Sequence, residues 1–163
     1  MPQANDATIV RVYTREYNGT IEDLTPSVST GGHQFEVVVE AEAGKVRAGN
    51  SSRYTITLTA FDITAGNSAA NISAAFNPAT PTAPLKQTFE TTKSDLPPAG
   101  GLSAGVTDNV TAWPAYEQKF IITLTANEAA NAVGHIFRYT ATLQAGGSDP
   151  IISITQSELF VLI

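Results

Sequence analysis

Arg53-Tyr-Thr-Ile-Thr-Leu-Thr-Ala60 and Arg138-Tyr-Thr-Ala-Thr-Leu-Gln-Ala145 decide the fold. In the first stretch Tyr54, Ile56, Leu58 and Ala60 alternate with Thr55, Thr57 and Thr59. In the second, Tyr139, Ala141, Leu143 and Ala145 take the apolar places. A side-chain period of two marks a strand with one buried and one wet face, and β-branched Thr suits a pleated surface. The stretches lie 85 residues apart, and the likeness reaches further than both. Residues 33–62 and 118–147 align at that offset without a gap, with nine identical pairs in 30, where composition alone gives about two. The identities are Phe35/Phe120, Ala41/Ala126, Gly49/Gly134, Arg53/Arg138, Tyr54/Tyr139, Thr55/Thr140, Thr57/Thr142, Leu58/Leu143 and Ala60/Ala145. One supersecondary unit is therefore used twice.

Within each unit an earlier strand precedes the quoted one. Gln34–Ala41 turns Phe35, Val37, Val39 and Ala41 inward, with Val38 an apolar residue on the outer side, and Lys119–Ala126 turns Phe120, Ile122, Leu124 and Ala126 inward. A connector of about ten residues, carrying the aligned Gly49 or Gly134, joins the two strands as a hairpin or a crossing between sheets. Glu128–Val133 has the makings of one helical turn inside the second connector. Flanking strands are expected at Thr8–Tyr17, Asn71–Phe76, Leu85–Thr92 and Ile151–Ile163. About eight strands, frequent turn signals and no long helix predict an all-β chain. The expected architecture is an antiparallel β-sandwich of immunoglobulin-like kind, or a flattened barrel, with an internal pseudo-two-fold repeat. At 163 residues one integrated core is favoured over two half-size ones, so a single domain is expected over 1–163, its halves meeting near 83/84.

Composition narrows the function classes. The chain is 42% hydrophobic and 15% charged, well under the usual quarter of charged residues, which gives a neutral surface suited to contact with other surfaces. The formal charge of −6, with only nine Lys and Arg scattered along the chain, opposes nucleic-acid binding, because phosphate neutralisation needs clustered cations. Without cysteine there is no disulfide framework, thiol nucleophile or thiolate metal site. Met1–Thr8 has no basic start and no apolar run, so no signal peptide is read there, and no stretch approaches the length of a membrane span, so no membrane insertion is expected; either the chain works where it is made or a leader has been removed. An extracellular or particle-surface location is mildly favoured. Four sequons, at Asn18, Asn50, Asn71 and Asn109, are glycan acceptors only in a eukaryotic secretory setting.

The search for chemistry is mostly negative, and neither a catalytic residue, a metal site nor a cofactor is expected. His33 and His135 are the only near-neutral acid-base groups, and the repeat does not pair them. His33, after Gly31-Gly32, reads as a solvated turn residue. Asp62-Ile-Thr-Ala-Gly-Asn67 and Asp108-Asn109 offer oxygen ligands in loops, but match no calcium loop and are equally explained as turns. Glu36, Glu40 and Glu42 lie at strand spacing and read as a solvated outer face or a charged edge. The outward Thr rows read as strand packing rather than an ordered-water surface, since twisted sheets do not hold them flat.

Two segments break the repeat: residues 65–84, with three prolines in Asn77–Pro84, and residues 93–116, with the only Trp. The first reads as a stiff crossover. In the second, Trp113 and Tyr116 in a Pro-bounded loop are the candidate binding residues, since amphipathic rings give large contact area at low entropy cost; the alternative is that the Trp packs against the sandwich end. The apolar Leu159-Phe-Val-Leu-Ile163 is read as buried on both faces, within its own sandwich by preference, with a homo-oligomer formed through this strand as the alternative. The resulting expectation is a non-catalytic binding or adhesion module for a protein or carbohydrate surface, with a structural subunit of a larger assembly as the competing reading.

Overall fold

The computed structural model describes residues 7–29, 32–43, 52–69, 85–91, 115–145 and 151–163. In chain order these contain β1 (Ala7–Glu16), β2 (Gln34–Ala43), β3 (Ser52–Asp62), β4 (Asn67–Ser68), β5 (Leu85–Thr91), β6 (Ala115–Thr123), α1 (Ala126–Ala132), β7 (Ile136–Ala145), β8 (Ile151–Gln156) and β9 (Phe160–Val161). The strands form two antiparallel sheets. The first has the order β1-β2-β6; the second runs β4-β3-β7-β8, with β5 also on β3 and β9 also on β7.

Each copy of the repeat is one crossing between sheets. β2 lies in the first sheet and β3 in the second; β6 and β7 repeat that step. The copies then pair with each other in both sheets, and the registers carry the symmetry. In the first sheet Glu36 pairs with Ile121, and in the second Thr57 pairs with Thr142. Both are repeat equivalents, since 36 + 85 = 121 and 57 + 85 = 142. An antiparallel ladder has a local dyad at its centre, so one pseudo-two-fold axis passes through both sheets at these two points.

The inward rows follow the sequence pattern. Phe35, Val37, Val39, Phe120 and Ile122 from the first sheet meet Ile56, Leu58, Tyr139, Ala141 and Leu143 from the second, all at 2% exposure or less. Phe160 is the hub of this core. Its ring stacks on Tyr139 with centroids 5.4 Å apart and meets Phe137 at 5.7 Å and Phe35 at 6.0 Å. Burial pushes the Tyr139 phenol well above its usual range.

The sheets do not close into a barrel. Where β1 and β8 meet, the link is made by hydroxyls: Ser153 Oγ accepts from the Ile9 N–H at 3.0 Å, and Thr155 Oγ1 donates to the Ile9 carbonyl at 3.3 Å. A bulge at Val10, between the pairs Ile9/Ala41 and Arg11/Glu40, resets the alternation of β1.

Two expectations are corrected in detail. The strand expected over Lys119–Ala126 runs instead over Ala115–Thr123, because Thr125 and Glu128 form a capping box that starts α1. Leu124 stays buried, whereas Ala126 is exposed. The helix ends where Gly134, at φ +82°, takes the left-handed conformation and donates its N–H to the Leu162 carbonyl at 2.8 Å. Finally, the C-terminal stretch is buried on one face only: Phe160 and Leu162 are enclosed, while Leu159 and Ile163 are 42% and 49% exposed.

The edges of that stretch are spent within the chain. β9 pairs with β7 on one side. On the other, Val161 and Ile163 donate to the carbonyls of Leu24 and Pro26, and Val28 donates back to Ile163. The far edge of residues 24–28 is blocked in turn: the Thr25 N–H bonds Asp23 Oδ1 and the Ser27 N–H bonds Glu16 Oε1. Carboxylates that consume edge N–H groups leave no template there for a further strand.

Candidate functional site

Of the two candidate binding residues, Trp113 lies outside the described residues. Tyr116, expected in a loop, belongs to β6, where its backbone pairs with Ala41. The strand Asn71–Phe76, the connector with Gly49, the Asp108-Asn109 pair, and Asn50, Asn71 and Asn109 also lie outside the described residues. Asn18 is exposed.

The structure instead gathers the polar chemistry at two centres. The first sits on the outer side of the first sheet. Arg11 and Arg15 on β1 are four residues apart, as are Glu36 and Glu40 on β2, and the antiparallel register sets Arg15 opposite Glu36 and Arg11 opposite Glu40. Glu36, read from sequence as solvated, is fully buried. Arg15 Nε donates to Glu36 Oε2 at 2.6 Å, the Asn18 N–H donates to Oε1 at 3.1 Å, and Lys119 Nζ lies 3.5 Å from Oε1. Asn18 adopts φ +58° in the turn that closes β1, a conformation Asn tolerates better than most residues. Burial pushes the Glu36 carboxyl up, but the Arg15 hydrogen bond, the Asn18 N–H and the two cations outweigh it, so it is held below the ordinary carboxylate range.

Beside this centre, Arg11 reaches Glu40 at 2.9 Å and Glu22 at 3.1 Å, and its guanidinium lies 4.2 Å over the Tyr13 ring. Val38 pairs with Tyr13 on one side and Lys119 on the other and is fully buried. The apolar residue noticed on the outer face is thus covered there, between Tyr13 and the long side chain of Lys119 in the register.

The second centre is Asp62 with His135, at the end of the core. Asp62 Oδ2 is 2.7 Å from His135 Nδ1, and Oδ1 accepts from the Ala65 N–H at 2.9 Å. The Asp62 carboxyl is pushed up by burial and pulled down further by His135 and the turn N–H groups, ending below its ordinary value. Both oxygens are engaged in closing the β3–β4 turn and tying it to the α1–β7 junction. The loop weighed as a hard-cation ligand set is therefore a turn. Among the described residues no three His, Asp or Glu side chains converge as a metal site would require. His33 is likewise structural: at φ +58°, its Nδ1 donates to the Val28 carbonyl at 2.6 Å, and its own carbonyl accepts from Leu124.

The sequence carried a signal for the first centre that its reading missed. Arg-x-x-x-Arg on one strand and Glu-x-x-x-Glu on the next match only if the strands pair antiparallel in this register. For Asp62 and His135, 73 residues apart, no local pattern exists.

No family model matches the sequence, and no curated protein does. Among solved structures, the fold is similar to a bacterial adhesin from Mobiluncus mulieris that contains intramolecular disulfide, isopeptide and ester bond cross-links. The similarity holds in two crystal forms, each with a TM-score of 0.51, at 11% and 12% identity. It covers 98% and 93% of this chain but 58% and 53% of the adhesin, so the chain spans little more than half of that protein. A β-glucuronidase from Bacteroides uniformis matches at a TM-score of 0.46 and 10% identity, over 93% of this chain and 14% of the enzyme. The likeness to the adhesin agrees with the two antiparallel sheets described above and shows the β-sandwich fold alone. Among the described residues no helix is long and apolar enough to cross a membrane.

Proposed function

We propose that residues 1–163 form one non-catalytic module that binds or adheres to a protein or carbohydrate surface outside the cell or on a particle, with Trp113 and Tyr116 in the contact region. The observation that carries this reading is how the polar groups are used. Glu36, Asp62, His33 and His135, the described groups best placed for acid-base work, are each committed to a bond that holds strand, turn and loop together. A side chain whose lone pairs or protons are spent on the scaffold is a poor catalyst and a good clamp. The adhesin-like fold over nearly the whole chain agrees with that use. A disulfide of the adhesin's kind has no counterpart here, since the chain has no cysteine. The test is a glycan array and a surface-protein binding screen with the intact chain and with Trp113→Ala and Tyr116→Ala. Binding lost in the variants with folding intact supports the placement; binding unchanged in both removes these residues from the contact.

The second reading, a structural subunit of a larger assembly, is favoured by the low charge of the chain.

A further inference from the structure

The turn that closes β1 holds a dipeptide with a chemistry of its own. Asn18-Gly19 is the one Asn-Gly pair among the nine asparagines of the chain, and the turn demands both residues. Asn18 stands in the third place of a turn closed by the Gly19 N–H on the Glu16 carbonyl at 2.8 Å, at φ +58°, where glycine or asparagine is favoured. Gly19 admits no side chain: a Cβ there would lie 2.9 Å from the Glu16 carbonyl oxygen. Without a side chain, the Gly19 nitrogen has no steric shield against the Asn18 carboxamide, and Asn18 is exposed to water. Hydrogen bonds hold the pair in place, the Asn18 N–H on Glu36 Oε1 at 3.1 Å and the Gly19 N–H on the Glu16 carbonyl.

We propose that Asn18 is a site of spontaneous deamidation, gated by the buried Glu36 carboxylate. The reaction needs no co-reactant besides water. The Gly19 nitrogen gives up its proton and attacks Asn18 Cγ; the new C–N bond forms as the carboxamide C–N bond breaks and ammonia leaves. Water then opens the cyclic imide to aspartate, or to isoaspartate, whose main chain runs through the former side chain. A nitrogen whose proton is bonded to Glu16 gives it up poorly, so the reaction proceeds from the opened turn, and the turn opens only when the Asn18 N–H leaves Glu36. Arg15 at 2.6 Å and Lys119 at 3.5 Å fix the Glu36 carboxylate, and the carboxylate fixes the turn. Either product adds a negative charge at the turn that Glu36 holds. The isoaspartyl form also adds a main-chain carbon between the two N–H groups, so they no longer fit Glu36 and Glu16 together, and an opened turn stays open. This inference is independent of the adhesion reading, since neither Trp113 nor Tyr116 enters it.

Peptide mapping by mass spectrometry of the full chain, aged at neutral pH, tests it through the mass gain of amide-to-acid exchange at Asn18. The folded wild type is expected to convert about tenfold or more slowly than the chain in urea. Glu36→Gln, which keeps an acceptor but loses the charge, raises the folded rate about threefold or more, and Glu36→Ala raises it further. Leu143→Ala, a truncation of a buried residue in the second sheet, controls for general destabilisation and stays within about twofold of the wild type. Circular dichroism establishes which variants are folded; where Glu36→Ala is not, Glu36→Gln carries the test. Wild type aged until Asn18 is converted shows a lower urea midpoint than fresh protein. No conversion of Asn18 in urea, conversion as fast in the folded chain as in urea, a rate unmoved by Glu36→Gln, an unchanged urea midpoint after conversion, or equal acceleration by Leu143→Ala overturns the proposal.

Discussion

At Thr57 and Thr142 the two copies of the repeat meet as equals, the same residue facing itself across the dyad. At the other crossing of that axis, Glu36 faces Ile121: one copy places a fully buried carboxylate where the other places a half-exposed isoleucine. Thr57 and Thr142 are only partly covered, so little energy depends on them. Glu36 has left water altogether and its hydrogen bonds come from partners outside both copies, Arg15 on β1 and the Asn18 N–H behind it, while Lys119 of the other copy lies 3.5 Å away. Duplication therefore reproduced the ladders, while divergence on the axis tied β1 and its following turn to one half. The connectors show the same division. Thr125 and Glu128 make a capping box, whereas the equivalent positions hold Glu40 and Ala43, and β2 runs on to Ala43.

The comparison breaks most severely if the buried pair is halved. Glu36→Ala removes the carboxylate that the enclosed Arg15 guanidinium bonds at 2.6 Å, and urea unfolding at neutral pH should show a loss of about 3–5 kcal/mol. Replacing Arg15 and Glu36 together with apolar residues of similar volume should recover most of that loss, as expected when the cost lies in burying one charge of the pair. A double-mutant cycle gives the coupling. The pH dependence has a definite sign. Because Glu36 and Asp62 titrate lower in the folded chain than in the unfolded one, their contribution is complete above the ordinary Glu value of about 4.3 and is lost as the pH falls through their folded values. The gap between the wild type and Glu36→Gln should accordingly narrow steadily on acidification below that point; a gap that widens would contradict the assignment.

Smaller effects sharpen the contrast between the connectors. Thr125→Ala removes the helix cap and should cost about 1 kcal/mol, visible as a lower urea midpoint with unchanged slope. Gly134→Ala meets no atom within 4 Å, so only the left-handed backbone opposes it, and again about 1 kcal/mol is expected. The smallest effect belongs to the symmetric crossing: Thr142→Val, on an outward strand position, should move stability by less than about 0.5 kcal/mol.

Much of this fold was legible because it is local and repeated. The inward residues of β2, β3 and β7 follow from period-two alternation, and those expected assignments agree with the burial of Phe35, Val37, Val39, Ile56, Leu58, Tyr139 and Leu143. Glu36 was illegible for the same reason. Alternation assigns it to the outer face correctly, but does not say whether an outer face is wet, which depends on Arg15, Asn18 and Lys119 arriving from other elements. The apolar C-terminal run misled in the opposite direction, since five apolar residues read as two buried faces while Leu159 and Ile163 stand exposed. Of the candidate site, Tyr116 proved to be a strand residue.

By itself, the sequence determined the strand periodicity, the duplication at an offset of 85 and the absence of cysteine, because each is a property of neighbours along the chain or of composition. Only the tertiary structure decided where the dyad falls, that Glu36 is sealed on its outer face, and that Asp62 meets His135 across 73 residues. Burial and pairing are set by what the other elements bring, and that information is held in the register between strands rather than in any one of them.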